Sequence, residues 1–379
     1  MKSPQLLFLF ALWLVPFFSL SGEPIVIGET IRIDSKVLKK QASINITLPG
    51  SYQALTNKRY PVFYSISSDE GYAATAGTLR NLSHNREYPM PETILVSLTT
   101  ETAVSIIQRG VKSEDFINFL EIDVIPYIDK HYRSQPFRIV SSGARFGMAP
   151  LYGLIHKPEL FQAYITISPW ITDESGLLGD FEAFLKENND ISAFLWLSSG
   201  RELREVENYN KLIALLQQHA PKMLDWKSAE FNQNTNMSQG LLSLPNALES
   251  LFADMYLAPE SPIVRAGAKS IKSYYQQLSD SKYGYAVSAE RALSALGYAK
   301  LREEKVKEAI AVFQINLQDY PDSPHVYTAM AWAFKLDDNL AAALPMQKTA
   351  YELALKQNSA YKDYYKQLFT DIENALSAK

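Results

Sequence analysis

The sequence predicts an α/β domain, a mostly parallel sheet covered by helices on both faces, followed by an all-α module. Short apolar runs of strand length alternate with longer helical stretches up to residue 258. After Pro259 the strand-like runs stop, and alanine, leucine, lysine and tyrosine dominate. The chain has 379 residues, of which 47% are hydrophobic, so it contains enough apolar material for two domains.

The predicted strands are two partly exposed runs followed by six compact apolar runs. The first two are Ile25–Ile33 and Gln41–Leu48. The compact runs are Tyr60–Ile66, Glu92–Leu98, Phe137–Val140, Ala163–Ser168, Ala193–Leu197 and Leu224–Phe231. Predicted helices lie between them at Ser113–Lys130, Ala149–His156, Asp180–Glu187 and Glu205–His219. Continuous rather than alternating apolar runs are typical of parallel strands that are buried on both faces.

Residues 1–21 have the pattern of a secretory signal peptide. Lys2 supplies a positive charge, Leu6–Leu20 is an apolar run, and small residues stand at Ser19 and Ser21. A retained membrane anchor is the alternative, but the run is shorter than the ~20 residues that span a bilayer and contains Pro16. We therefore expect a mature chain that begins near Gly22, has no membrane span, and is periplasmic or secreted.

Residues 259–379 carry a repeat that resembles the tetratricopeptide pattern. Six residues stand at its spacing, namely Leu293, Leu296, Gly297, Ala309, Phe313 and Pro321. Ala331 stands 34 residues after Gly297, and Ala343 stands 34 residues after Ala309. This repeated spacing indicates a second unit. Since about three units are needed for stability, we expect residues 256–280 to add a helix that packs against the first domain. Such a module predicts a protein partner.

Composition and charge exclude several classes of function. The net charge of −4, without a basic block, argues against nucleic acid as a partner. The absence of cysteine excludes thiolate zinc sites, iron–sulfur clusters and a cysteine nucleophile. No phosphate-binding loop, dinucleotide fingerprint or metal-ligand spacing is present, so we expect no metal and no cofactor. Only five histidines remain as candidate bases.

The first domain resembles the esterase D-like branch of the α/β-hydrolases, which includes siderophore esterases. The resemblance covers roughly residues 25–255. It depends on the stretches Tyr60–Tyr64, Phe119–Glu121, Val124–Ile128, Lys157–Tyr164, Ile167–Pro169 and Leu244–Leu248. It implies an α/β-hydrolase fold over residues 22–258. It also implies a serine nucleophile at a strand–helix turn, the nucleophile elbow.

The predicted elbow does not contain the expected serine. Gly143 and Gly147 have the spacing of G-x-S-x-G, which makes Arg145 the central residue. An ungapped alignment to the family instead puts Ala144 at the nucleophile position. Neither side chain can attack a carbonyl group, which leaves the preceding Ser142 as a fallback nucleophile.

The expected base is also absent. The family keeps its histidine just before the segment that matches Leu241–Pro245, where Asn236 is the replacement that we expect. Asparagine cannot accept and return a proton at neutral pH. The acid should follow the strand at residues 193–197, where Glu202, Glu205 and Glu207 are candidates.

These departures predict a catalytically inactive α/β-hydrolase homologue, a binding or scaffold protein that uses its vestigial pocket and its helical tail. The alternative is a carboxylic-ester hydrolase that uses non-standard residues. A third hypothesis is that the helical tail alone carries out the function. We expect Arg145 either to bind a small anionic ligand through its guanidinium or to pair with Glu202 or Glu207.

Overall fold

The structure is a computed structural model, and it describes residues 25–84, 90–107, 113–359 and 361–378. The predicted signal peptide, residues 1–21, lies outside the described residues. Among the helices of the described part, none has both the length and the apolar character of a membrane span.

One eight-stranded sheet forms the core of the first domain. Its strands are β1 (Glu29–Ser35), β2 (Lys40–Thr47), β3 (Tyr60–Ile66), β4 (Ile94–Leu98), β5 (Ser134–Gly143), β6 (Ala163–Ile167), β7 (Ala193–Gly200) and β8 (Leu224–Phe231). Their order is β1-β2-β4-β3-β5-β6-β7-β8. β1 and β2 pair antiparallel, and the strands from β4 to β8 are parallel. The predicted α/β class is confirmed.

Helices cover both faces of the sheet. They are α1 (Asp69–Ser83), α2 (Thr100–Ile107), α3 (Ser113–Phe119), α4 (Ile125–His131), α5 (Met148–His156), α6 (Leu177–Glu187), α7 (Val206–His219) and α8 (Asn236–Leu251). Alternate residues of β3 face opposite sides: Val62 and Tyr64 pack in the cluster that contains residues of α2–α7, whereas Phe63 packs in the cluster of α1 and α8. This burial on both sides explains the continuous apolar runs.

Two segments differ from the sequence-based prediction. The helix expected at residues 113–130 is interrupted by a π-helical turn, Leu120–Val124, between α3 and α4. No helix was predicted directly after the strands at residues 60–66 and 92–98, where the chain forms α1 and α2. The side chain of Ser68 caps α1 by accepting a hydrogen bond from the backbone N–H of Gly71.

The C-terminal part is all-helical, as predicted. It contains α9 (Pro262–Arg265), α10 (Ala268–Leu278), α11 (Glu290–Arg302), α12 (Val306–Asp319), α13 (Pro324–Leu336), α14 (Leu340–Lys356) and α15 (Lys362–Ser377). Gly297 lets α11 approach α12 closely, because a Cβ there would lie 2.3 Å from the ring of Phe313. Its classification as a tetratricopeptide module stays a prediction.

A tyrosine cluster attaches this helical module to the sheet domain. The hydroxyls of Tyr274 and Tyr275 donate to the backbone carbonyls of Asp254 and Met255, each at 2.7 Å. The ring of Tyr283 stacks on Phe252 with 5.9 Å between ring centroids. These contacts fix the start of the module against the segment that follows α8.

Candidate functional site

The carboxyl ends of β5 and β6 form two adjacent strained turns. Ala144 and Ser168 have backbone φ angles of 49° and 44°, in the left-handed region that side chains other than glycine rarely adopt. This conformation costs about 1–2 kcal/mol per residue. The carbonyl of Ala144 accepts a hydrogen bond from the N–H of Gly147 at 3.0 Å, within its own turn, and one from Trp170 at 3.2 Å, which joins the two turns.

Gly147 makes this close approach sterically feasible. A Cβ on Gly147 would lie 2.7 Å from the Cα of Pro169 in the second turn. The chain passes from β5 through a short 3-10 turn, Ala144–Phe146, directly into α5. The N–H of Gly147 is bonded to Ala144. The other N–H groups at the start of a helix lack partners within it, so the N-terminus of a helix favours an anion.

The residues expected at the elbow have distinct environments. Ala144 is the residue with the left-handed backbone, whereas Arg145 is exposed to solvent. Ser142 is buried, and its hydroxyl donates to the backbone carbonyl of Phe146 at 2.6 Å. The fallback nucleophile is thus held beneath the turn by a structural hydrogen bond.

Two arginines flank a tryptophan beside the elbow. The guanidinium carbon of Arg145 lies 5.8 Å from the ring centroid of Trp170, and that of Arg204 lies 4.2 Å from it. The indole N–H of Trp170 is buried and has no hydrogen-bond partner among the described residues. Among the ion pairs between described residues, none joins Arg145 to Glu207, and the choice between an ion pair and an anion site for Arg145 stays a prediction.

Two of the three candidate acids, Glu202 and Glu205, lie on the loop that follows β7, and Glu207 lies in the first turn of α7. Glu202 and Glu205 are exposed, and Glu205 has a left-handed backbone with φ 55° just before α7. Asn236, the expected replacement for the base, begins α8, and its side chain lies outside the described part of the structure.

The histidines lie away from the loops that follow β5–β8 in the described chain. Three of them belong to helix ends where a basic residue is favourable: His131, His156 and His219 end α4, α5 and α7. His84 follows α1, and its Nδ1 is 2.8 Å from the carbonyl of Arg80.

A buried polar network behind the elbow was missed by the sequence analysis. The hydroxyl of Ser168 donates to Oε1 of the fully buried Gln239 at 2.6 Å. Nε2 of Gln239 donates to Ser198 at 3.2 Å, and Ser198 accepts from Ser243 at 2.8 Å. The network links β6, β7 and α8 and holds the second strained turn. Gln239 lies in the segment where the family keeps its histidine, which is the only sequence signal that could have indicated it.

Tyr209 adds a neutral phenol near the end of β7. Burial raises the pKa of Tyr209 to about 12, so it stays protonated at neutral pH. Among the described residues, no group of three or more His, Cys, Asp or Glu side chains is arranged to hold a metal ion.

Comparison with known proteins supplies the family. Residues 35–230, just over half of the chain, match the family model Esterase, described as putative esterase. No curated protein matches the chain.

Solved structures share the fold at low sequence identity. An IroE-like serine hydrolase from Shewanella oneidensis is 17% identical with a TM-score of 0.63, over 77% of this chain and 99% of that one. An uncharacterised protein from Capnocytophaga ochracea is 14% identical with a TM-score of 0.61, over 91% of this chain and 100% of that one. The siderophore hydrolase EstB from Aspergillus nidulans is 16% identical with a TM-score of 0.51, over 61% of this chain and 96% of that one.

The family match corrects one prediction. The expectation of a catalytically inactive binding or scaffold protein is wrong, because residues 35–230 match a family of esterases. That expectation relied on the missing serine and histidine alone. In hydrolases a side-chain nucleophile is one source of rate enhancement among several, and preorganised backbone N–H donors are another.

Proposed function

This chain belongs to the putative esterase family, and on that premise we propose that it hydrolyses carboxylic esters with residues other than a serine–histidine pair. The observation that supports the proposal is the left-handed backbone of Ala144. No alanine side chain needs this strained conformation, and we infer that the turn is kept so that N–H groups at the start of the following helix can bind an anionic group.

In this reaction a water molecule is the nucleophile. Its oxygen attacks the ester carbonyl carbon, and the carbonyl oxygen becomes an oxyanion that accepts hydrogen bonds from the N–H groups of the elbow. The tetrahedral intermediate then breaks its bond to the alcohol oxygen. The proton lost by the water ends on that oxygen, so one ester and one water give one acid and one alcohol.

The carboxylates of the loop after β7 are the proposed proton acceptors. Glu202 and Glu205 follow the strand at which this fold keeps its acid. Without a side-chain nucleophile, backbone anion binding and substrate binding are still worth about 10³–10⁴-fold over the reaction in water in serine hydrolases. We expect a slow esterase in that range.

In this proposal the guanidinium groups of Arg145 and Arg204 favour anionic substrates. Arg145 and Arg204 flank Trp170 at the mouth of the elbow, and the unpartnered indole N–H adds a donor. A carboxylate on the acid part of the ester would receive charge-assisted hydrogen bonds there. Because both guanidiniums are exposed, we expect about 1 kcal/mol from this contact, or roughly fivefold in kcat/KM.

The test compares two esters of equal chain length, mono-4-nitrophenyl adipate and 4-nitrophenyl hexanoate. The intact protein should hydrolyse both about 10³-fold faster than buffer and should prefer the adipate. Arg145→Gln should remove that preference, whereas Arg32→Gln, an exposed arginine on β1, should keep it. Glu202→Gln or Glu205→Gln should lower kcat for both esters.

A rate equal to that of buffer for both esters, from protein whose thermal melt shows that it is folded, would contradict the proposal. A preference for the hexanoate, or an adipate preference that survives Arg145→Gln, would contradict the proposed anion contact but not the hydrolysis.

Two further features stay predictions. We propose that the protein is exported and that residues 1–21 are removed, which the intact mass of the mature protein tests. We also propose that the helical module binds a protein partner. The test is whether a variant without residues 259–379 loses the co-purification of another protein.

A further inference from the structure

We propose that the cleft between the sheet domain and the helical module binds a neutral, hydroxyl-rich ligand of oligosaccharide size. The cleft has a volume of about 1830 Å³, above the ~300–1000 Å³ of sites for drug-sized ligands. Pro61 and Gln135, near the starts of β3 and β5, line it. At ~3.3 Å per residue along β5, it lies about 30 Å from the elbow, so it is a separate site.

One wall of the cleft is built from tyrosine rings. They are Tyr256, Tyr275, Tyr285, Tyr298, Tyr361, Tyr364 and Tyr365. Tyr361 and Tyr364 are 40% and 58% exposed, so their rings are accessible to a ligand. A tyrosine offers a flat apolar face and a polar tip at little cost in conformational entropy. Sugar rings have the complementary character, with C–H faces and hydroxyl edges.

Two buried hydroxyls among the residues that line the cleft lack a partner. The hydroxyl oxygens of Tyr285 and Thr328 are buried without a hydrogen bond to any described residue, and both residues line the cleft. An unmet hydrogen bond at a buried hydroxyl is unfavourable by about 1–3 kcal/mol. A hydroxyl both donates and accepts, so a ligand rich in hydroxyls can satisfy both groups.

The charges that line the cleft balance, which favours a neutral ligand. Three cationic side chains face three anionic ones: Lys58, Arg59 and Arg291 against Glu92, Glu249 and Glu290. Lys58 and Glu92 already form an ion pair of 2.7 Å. The cleft therefore has no net charge with which to attract a phosphate, a carboxylate or a cation.

The surrounding backbone argues against a peptide that would bind by adding a strand to the sheet. β3 and β5 border the cleft, but each is paired on both sides within the sheet. Neither strand offers a free edge to which a peptide strand could add its backbone hydrogen bonds. The remaining wall is apolar, with Leu82, Met90, Leu248 and Phe252.

Isothermal titration calorimetry of the full chain tests the proposal. The probes are maltohexaose, cellohexaose and chitohexaose, with a proline-rich decapeptide as the competing class. At least one hexasaccharide should bind with a Kd below 1 mM. Tyr364→Ala, which removes an exposed ring, should weaken that binding at least tenfold. Tyr285→Phe, which removes one hydroxyl and keeps the ring, should weaken it about fivefold.

Tyr351→Ala is the matched control, because Tyr351 belongs to the helical module and stacks on Phe369 outside the cleft. It should leave the affinity unchanged. The proposal is overturned if no hexasaccharide binds at 10 mM, if binding is indifferent to Tyr364→Ala, or if the decapeptide alone binds and loses affinity in that variant. These outcomes leave the esterase proposal untouched, because ester turnover does not involve this cleft.

Discussion

The contact between the two strained turns makes Gly147→Ala the most informative single substitution. The added Cβ would lie 2.7 Å from the Cα and 3.0 Å from the Cβ of Pro169, and 3.1 Å from the carbonyl oxygen of Ala144. Carbon atoms pack at about 3.5–4.0 Å, so the turns must separate by roughly 0.8 Å or more. The backbone at Gly147 has φ −60°, so conformational strain at that residue adds nothing to the effect.

The magnitude follows from this displacement. Overpacking at a tight contact costs typically 1–3 kcal/mol of unfolding free energy. A misplacement near 1 Å at a reactive centre costs on the order of 10²-fold in rate. We therefore expect Gly147→Ala to lower the Tm by several degrees and to lower ester turnover far more than the loss of folded protein explains.

The assay is turnover of mono-4-nitrophenyl adipate at a temperature where both proteins are folded, with thermal melts beside it. Gly179→Ala is the control, because a Cβ there meets no atom within 4 Å. Wild-type turnover and Tm in Gly147→Ala would refute the reasoning that the two turns position the ester.

Three further predictions concern strain, packing and pH. Ala144→Gly should raise stability by up to about 1 kcal/mol, since glycine relieves the left-handed strain but loses more entropy on folding. Gly297→Ala should lower the Tm, because its Cβ would overlap the ring of Phe313, whereas Gly240→Ala, with open space around it, should not. Burial opposes ionisation of Glu92, but Lys58 and Ser51 outweigh it and hold its pKa below the usual 4.5. Glu92→Gln should thus destabilise the protein at pH 7, and this difference should shrink as the pH falls below about 4.5. Thermal melts check all three.

The sequence was most informative where burial dictates the residue pattern. β3 has the predicted bounds, because it is a continuous run of buried residues. β8, an edge strand with several exposed residues, also has the predicted bounds. The helices α1 and α8 were missed for physical reasons. α1 buries only Thr75, Ala76, Leu79 and Leu82 and has two glycines, and α8 contains a proline. Tertiary packing, rather than a strong periodic signal, makes these segments helical.

The sequence predicted where the candidate site lies, but it did not predict which side chains meet there. The glycine spacing pointed to Arg145 and the family alignment to Ala144, and it is Ala144 that has the left-handed backbone. The bond between Ser168 and Gln239 joins residues 71 positions apart, so no local pattern encodes it. The position of Arg204 over Trp170 likewise depends on where two loops meet at the sheet edge.

The proposal of ester hydrolysis without a serine nucleophile is tested most directly by ester turnover of the purified full chain after treatment with a fluorophosphonate, which inactivates serine esterases. We predict that hydrolysis of mono-4-nitrophenyl adipate stays about 10³-fold above buffer and that the chain remains unlabelled, because water is the nucleophile. Turnover equal to buffer, or turnover that the fluorophosphonate abolishes, would contradict it.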